Sequence, residues 1–138
     1  MQITSLYGLG IGVPSSVALG FYLSDRIAIE PSFSFNLQYF EGSGESSSES
    51  VSTYSAAVYV PVYLSRSAQG RSGFFVAPGV GAASRGEDDA LLLGINAGLK
   101  MSRNEKISSV IMVNLRSEEA AYSQTFIGAS FGLSYFFK

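Results

Sequence analysis

Ile27-Ala28-Ile29-Glu30-Pro31-Ser32-Phe33-Ser34-Phe35-Asn36-Leu37-Gln38-Tyr39 is the stretch on which the fold turns. Ile27, Ile29, Phe33, Phe35, Leu37 and Tyr39 are large and apolar, and Ala28, Glu30, Ser32, Ser34, Asn36 and Gln38 stand between them. Period-two alternation is the mark of a β-strand with one apolar face. The same pattern recurs over about 2–13, 17–24, 53–65, 73–83, 90–102, 106–116 and 125–137, which with 27–40 gives eight predicted strands. Turn residues separate them, as at Pro14-Ser15-Ser16, Ser24-Asp25-Arg26 and Arg103-Asn104-Glu105. Helical periodicity is nearly absent. With short connections and 138 residues, the expectation is an all-β single domain over 1–138, an antiparallel up-and-down barrel.

Period two does not say which way the apolar face points; the opposite face does. A barrel in water would carry Lys, Arg, Asp and Glu outside and apolar residues within. Here only 14% of the chain is charged, against about 25% in soluble domains. The second face is mainly Gly, Ser, Ala, Thr and Asn, with Glu30, Lys100 and Arg116 as its charges. Small residues suit a crowded lumen. The apolar face is long enough to cross hydrocarbon, which takes about 9–11 tilted residues. The apolar face is therefore expected in lipid, making this a transmembrane β-barrel. Tyr7, Phe21, Tyr39, Tyr54, Phe74, Tyr135 and Phe137 share its parity and read as interfacial girdles. A soluble carrier with an apolar cavity is the alternative.

The connections divide by charge. Alternate ones carry Glu41, Glu45, Glu49, Glu87, Asp88, Asp89, Glu118 and Glu119 against Arg85 and Arg116. The other set carries Arg26, Arg66, Arg71, Arg103, Lys106 and Lys138 against Asp25 and Glu105. Outer-membrane barrels have short periplasmic turns and longer extracellular loops. The longest connection, the Gly/Ser/Glu-rich Glu41–Ser52, lies on the acidic side, which is taken as extracellular. It reads as a solvated mobile loop, with an adhesive surface as the alternative.

Several function classes are excluded. The chain has no His and no Cys, which removes Ser-His-Asp triads, Cys nucleophiles, the usual zinc ligand sets and haem ligated by His or Cys. No cofactor is expected. A net charge of −2 argues against a nucleic-acid partner. No apolar run approaches the ~20 residues of a spanning helix. Met1-Gln2-Ile3-Thr4 lacks the form of a signal peptide, so a mature form with Met1 added for expression is expected.

The chain resembles the small eight-stranded outer-membrane barrels of Gram-negative bacteria, the OmpA/OmpX-like group. The residues that carry the resemblance are Leu19-Gly20-Phe21-Tyr22-Leu23-Ser24 with Ile27-Ala28-Ile29-Glu30-Pro31, then Val60-Pro61-Val62-Tyr63-Leu64, then Phe75-Val76-Ala77-Pro78-Gly79-Val80-Gly81. Phe131-Gly132-Leu133-Ser134-Tyr135-Phe136-Phe137 resembles the aromatic C-terminal strand read by the barrel-assembly machinery, although Lys138 follows it. The resemblance implies outer-membrane localisation, contact with membrane lipid and lipopolysaccharide, and a structural or adhesin-like role, with a surface ligand at the acidic loops as a further possible partner. A lipid A deacylase or acyltransferase is disfavoured, because their catalytic sets use His. An eight-stranded barrel is filled by side chains, so a packed lumen is expected and a narrow pore is the alternative.

The candidate lumenal residues are Glu30, Lys100, Tyr22, Tyr59, Asn96 and Arg116. Glu30 is expected in a buried network with Tyr22, Tyr59 or Lys100, since an unpaired buried carboxylate is costly. Lys100 pairs with Glu30 or snorkels to the periplasmic rim. Arg116 is expected at the extracellular mouth without a specific partner; Glu118, Glu119 or a lipopolysaccharide phosphate are the alternatives. Pro31, Pro61 and Pro78 lie at similar height on consecutive strands. They are expected as rim bulges, the alternative being a weakened seam that admits a lipid.

Overall fold

The computed structural model describes residues 1–9, 15–40, 49–65, 72–85, 87–120 and 123–137. The strand segments are β1 (Gln2–Leu9), β2 (Ser15–Tyr22), β3 (Ala28–Phe40), β4 (Glu49–Tyr59), β5 (Val62–Tyr63), β6 (Gly73–Arg85), β7 (Asp88–Ser102), β8 (Ile107–Glu119) and β9 (Ser123–Phe136). β4 and β5 are two parts of one stave, because both pair with β6 in a single register, Tyr59↔Gly79 and Val62↔Val76. The ring closes through β1–β9, from Gln2↔Phe136 to Leu9↔Ala129, and through β4–β6. The described residues form a closed eight-stranded antiparallel barrel and include no helix.

Closure leaves no sheet edge, and the alternation of each strand sorts side chains to the two sides of one wall. Phe33 is 70% exposed, Ile127 75% and Ile95 50%, while Gln2, Ser108 and Ser134 are fully buried. Leu93 and Phe131 also face outward. This is the reverse of a soluble protein, in which apolar groups are inside. An apolar exterior around a polar, filled interior is the arrangement of a transmembrane barrel. The carrier alternative fails here, since it needs these residues turned to the axis.

The turns on the basic side follow from local chemistry. Ser24 Oγ accepts hydrogen bonds from the Arg26 and Ile27 amides at 3.3 and 3.2 Å, and Leu23 N donates to Ile27 O at 2.9 Å. Asn104 Oδ1 accepts from the Lys106 and Ile107 amides at 2.8 and 2.9 Å. Ser and Asn side chains replace ladder bonds where the backbone reverses.

At the acidic end the staves run further than local composition predicts. Glu49–Ser52, read as loop, pairs with β3 as Phe40↔Glu49 through Leu37↔Ser52. Asp88 and Asp89 pair with Arg85 and Ser84, and Ser117–Glu119 pairs with both β7 and β9. Ser and acidic residues have poor strand propensity, but a neighbouring strand that offers backbone donors and acceptors overrides it. Ser15 and Ser16, read as turn, pair with β3 as Ser15↔Phe35 and Ser16↔Ser34. The rest of the Glu/Ser loop, Pro14, Ile11, Val13, Arg66, Arg71 and Lys138 lie outside the described residues, as do the side chains of Tyr7 and Tyr39. Of the girdle, Phe21, Tyr54, Phe74, Tyr135 and Phe137 are exposed, and Tyr135 meets Phe137 edge-on at 4.9 Å.

The belt carries a prediction. Ile95 lies at the middle of β7 with its side chain outside. Ile95→Arg is expected to destabilise the barrel by about 2–4 kcal/mol in equilibrium unfolding from lipid vesicles, whereas Ser123→Arg, at the β9 start, costs under about 1 kcal/mol.

Candidate functional site

The lumen is a sequence of side-chain layers. Nearest the basic turns, five staves contribute to one network. Gln2, on β1, is fully buried and central to it. Its Nε2 donates to the Glu30 carboxylate, and its Oε1 accepts from Tyr22 Oη at 2.9 Å and from Lys100 Nζ at 3.0 Å. Lys100 also donates to Tyr63 Oη at 2.8 Å, and the Tyr22 and Tyr63 hydroxyls lie 3.4 Å apart. The ammonium sits over the rings of Tyr63 and Phe136, 5.4 and 5.6 Å from their centroids. Each donor of a buried ammonium needs an acceptor or a π-face, and Lys100 has both. Phe75 packs on Tyr63 at 5.7 Å, and Val110 and Met112 complete an apolar cluster beside it.

Glycine makes the room. Gly20 faces Gln2 across the β1–β2 ladder, and a Cβ there would collide with the Gln2 side chain. Gly79 and Gly94 are cross-strand partners, and the Tyr59 ring lies against both; a Cβ at Gly94 would come 2.9 Å from its hydroxyl.

Above this floor, Asn114 Nδ2 donates to its cross-strand partner Asn96 Oδ1 at 2.9 Å, and Ser130 Oγ donates to Asn114 Oδ1. Asn96 and Tyr59 line the same chamber. Ser34 and Ser55, cross-strand partners on β3 and β4, bond through their hydroxyls. Nearer the acidic end, Arg116 pairs with Glu118, and both side chains are largely buried. Between the floor and this pair lies a chamber of about 80 Å³, lined by Glu30, Ser32, Asn96, Asn114, Arg116 and Ser130 among others. Ligand pockets are about 300–1,000 Å³, so the chamber is too small for a lipid or a drug-sized solute. Among the described residues, no cluster of His, Cys, Asp or Glu could hold a metal ion.

The six lumenal candidates thus divide between two layers. Glu30, Lys100 and Tyr22 meet in the floor, and Tyr59, Asn96 and Arg116 stand above it. Lys100 is 3% exposed and does not snorkel. Arg116 corrects the expectation of an unpartnered rim charge: the pleat turns it inward, and Glu118, two residues on and so on the same face, neutralises it. Sequence reading missed Gln2 and did not single out Tyr63. The available signal for Gln2 was a long polar side chain at lumenal parity opposite a glycine.

The prolines are missing rungs rather than bulges. The β2–β3 ladder skips Leu19 and Gly20 opposite Pro31 and Glu30, then resumes in the same register at Phe21↔Ile29. Pro61 O accepts from Ala28 N at 3.1 Å and Pro78 O from Val60 N at 2.8 Å, but neither proline has an N–H to return. One donor is therefore lost from each of three consecutive seams, with no extra residue in any strand.

No family model and no curated sequence matches the chain. Solved structures do, at low identity. Neisserial surface protein A matches with a TM-score of 0.62 and 10% identity over 99% of this chain and 94% of that one. The outer-membrane enzyme PagL matches at 0.55 and 11%, over 99% and 100%. Ail, the attachment invasion locus protein of Yersinia pestis, matches at 0.53 and 13%, over 97% and 91%. The chain shares the fold of these small outer-membrane barrels over nearly its whole length.

The floor gives a second prediction. Lys100→Met leaves Glu30 buried without its cation and is expected to cost about 3–5 kcal/mol in unfolding from detergent or lipid. Adding Glu30→Gln should recover most of that loss. Independent, additive losses would show that the two groups are not coupled.

Proposed function

We propose that this chain is an integral outer-membrane barrel of a Gram-negative bacterium with a structural or surface-interacting, adhesin-like role, and that its lumen is plugged. The observation that carries the reading is the filled cross-section. The Gln2–Glu30–Lys100–Tyr22–Tyr63 network, backed by Phe75, Val110 and Met112, occupies the axis at one level. With the axis filled, what the protein offers is its two ends and its belt.

The acidic end supports the surface role. The staves extend into Glu49, Asp88, Asp89 and Glu119, so acidic groups are carried on paired strands. The shared fold includes a surface protein and an attachment protein. It also includes an enzyme; the reading here is non-catalytic, because the chain has neither His nor Cys to serve as base or nucleophile. Partners proposed on this basis are membrane lipid and lipopolysaccharide around the belt, the barrel-assembly machinery at Phe131–Phe137, and a surface ligand at the acidic end.

Planar-bilayer recording tests the plug. Purified protein is expected to give no steady conductance. Reproducible channels of fixed size would instead establish the narrow-pore alternative.

A further inference from the structure

Ser109 is a polar residue in the lipid-facing column of β8. It shares parity with Ile107 and the exposed Ile111, and its cross-strand partners are Met101 and the exposed Leu133. Arg103, in the turn between β7 and β8, leans onto it: Nε donates to Ser109 Oγ at 2.8 Å. A guanidinium held by Nε keeps its two terminal nitrogens for another acceptor, and among the described residues they have none. The cation is thereby fixed beside the outer wall, one rung inside the strand ends, at the level where the belt gives way to headgroups. Met101 also lines a cleft of about 510 Å³ at this rim, with Ser65, Ser72, Gly73, Leu99 and Ser102 among its walls.

We propose that the cleft and Arg103 together bind one anionic phospholipid with a hydroxyl-bearing headgroup, of the phosphatidylglycerol type. Charge selects the phosphate. Paired guanidinium nitrogens match two phosphate oxygens, and the turn carries Arg103 and Lys106 against Glu105 alone, so an ammonium headgroup is disfavoured. The serines select the polyol. Ser65 Oγ accepts from Phe74 N at 3.1 Å, which leaves its O–H to donate; Ser102 Oγ donates to Asn104 O at 3.2 Å, which leaves its lone pairs to accept. Size and placement agree. The cleft lies within the range of about 300–1,000 Å³ that holds small ligands, and Leu99, exposed on the same wall, leads from it into the belt that an acyl chain would follow. The inference rests on the outer-membrane reading for the leaflet: the basic end, opposite the acidic loops, meets phospholipid and not lipopolysaccharide.

Native mass spectrometry of the full chain, released from micelles holding equal amounts of phosphatidylglycerol and phosphatidylethanolamine, tests the site. It reads lipid retention whether or not the lumen conducts or the acidic end binds a surface ligand, so its failure is distinct from failure of the plugged-barrel reading. Expected is one phosphatidylglycerol per barrel, retained in preference to phosphatidylethanolamine and not displaced by excess inorganic phosphate. Arg103→Gln is expected to weaken retention about tenfold, as for loss of one charge-assisted pair. Ser109→Ala frees the guanidinium without removing it and should weaken retention less. If Arg103→Gln does not fold, Ser65→Asp serves: its carboxylate still accepts from Phe74 N and sets a negative charge in the cleft, which should release the lipid. Equal retention of the two lipids, retention unmoved by the charge-changing variant, or displacement by inorganic phosphate would overturn the proposal.

Discussion

In hydrocarbon there is no water to accept or donate a hydrogen bond, so the backbone must satisfy itself, and an open sheet edge is not tolerated. The rest of this structure follows from that constraint. It demands the β1–β9 closure, which joins the first stave to the last, and the β4–β6 pairing that completes the ring. Closure in turn fixes the diameter, and at eight strands the interior is one to two side chains across. The three prolines are notable against this background. Each removes a donor where donors are most needed, and they do so on adjacent seams near the basic turns. The chamber of about 80 Å³ behind them is smaller than a lipid-sized pocket.

The lumen must reconcile narrowness with polarity. Where the Gln2 or Tyr59 side chain lies in the lumen, a glycine on the neighbouring stave leaves room for it. Where a charge enters, a counter-charge enters at the same level: Glu30 and Lys100 through the Gln2 amide, Arg116 through Glu118. Gln2 is well chosen for its place. An amide both donates and accepts, so it can face a carboxylate with its nitrogen and an ammonium with its oxygen. Gln2 lies on β1, so the stave that closes the ring also carries the centre of the floor.

Low identity to proteins of the same fold has a physical explanation. The wall asks of each outward position only that it be apolar, and of each inward one that it fit. Many sequences meet those demands, so barrels with unrelated surfaces converge on one shape. Role must then be sought at the strand ends and in the loops, where the demands of the lipid stop.

Which side of the wall each residue occupies was legible in the sequence, because parity is local: neighbouring residues on a strand point to opposite faces whatever the rest of the chain does. From Ile27–Tyr39 and its seven counterparts came the strand count, the lipid-facing set headed by Phe33, Leu93 and Phe131, and the lumenal placement of Glu30, Lys100, Tyr59 and Asn96. Strand ends at Glu49, Asp88 and Glu119 were not legible, since a partner's ladder carried them beyond their propensity. Nor was the height of any lumenal group along the axis. Height depends on the registers accumulated around the whole ring, from Gln2↔Gly20 to Gly73↔Lys100, and no window of sequence contains that sum. Only the closed barrel could decide that Gln2 would reach Glu30, 28 residues away, and Lys100, 98 residues away.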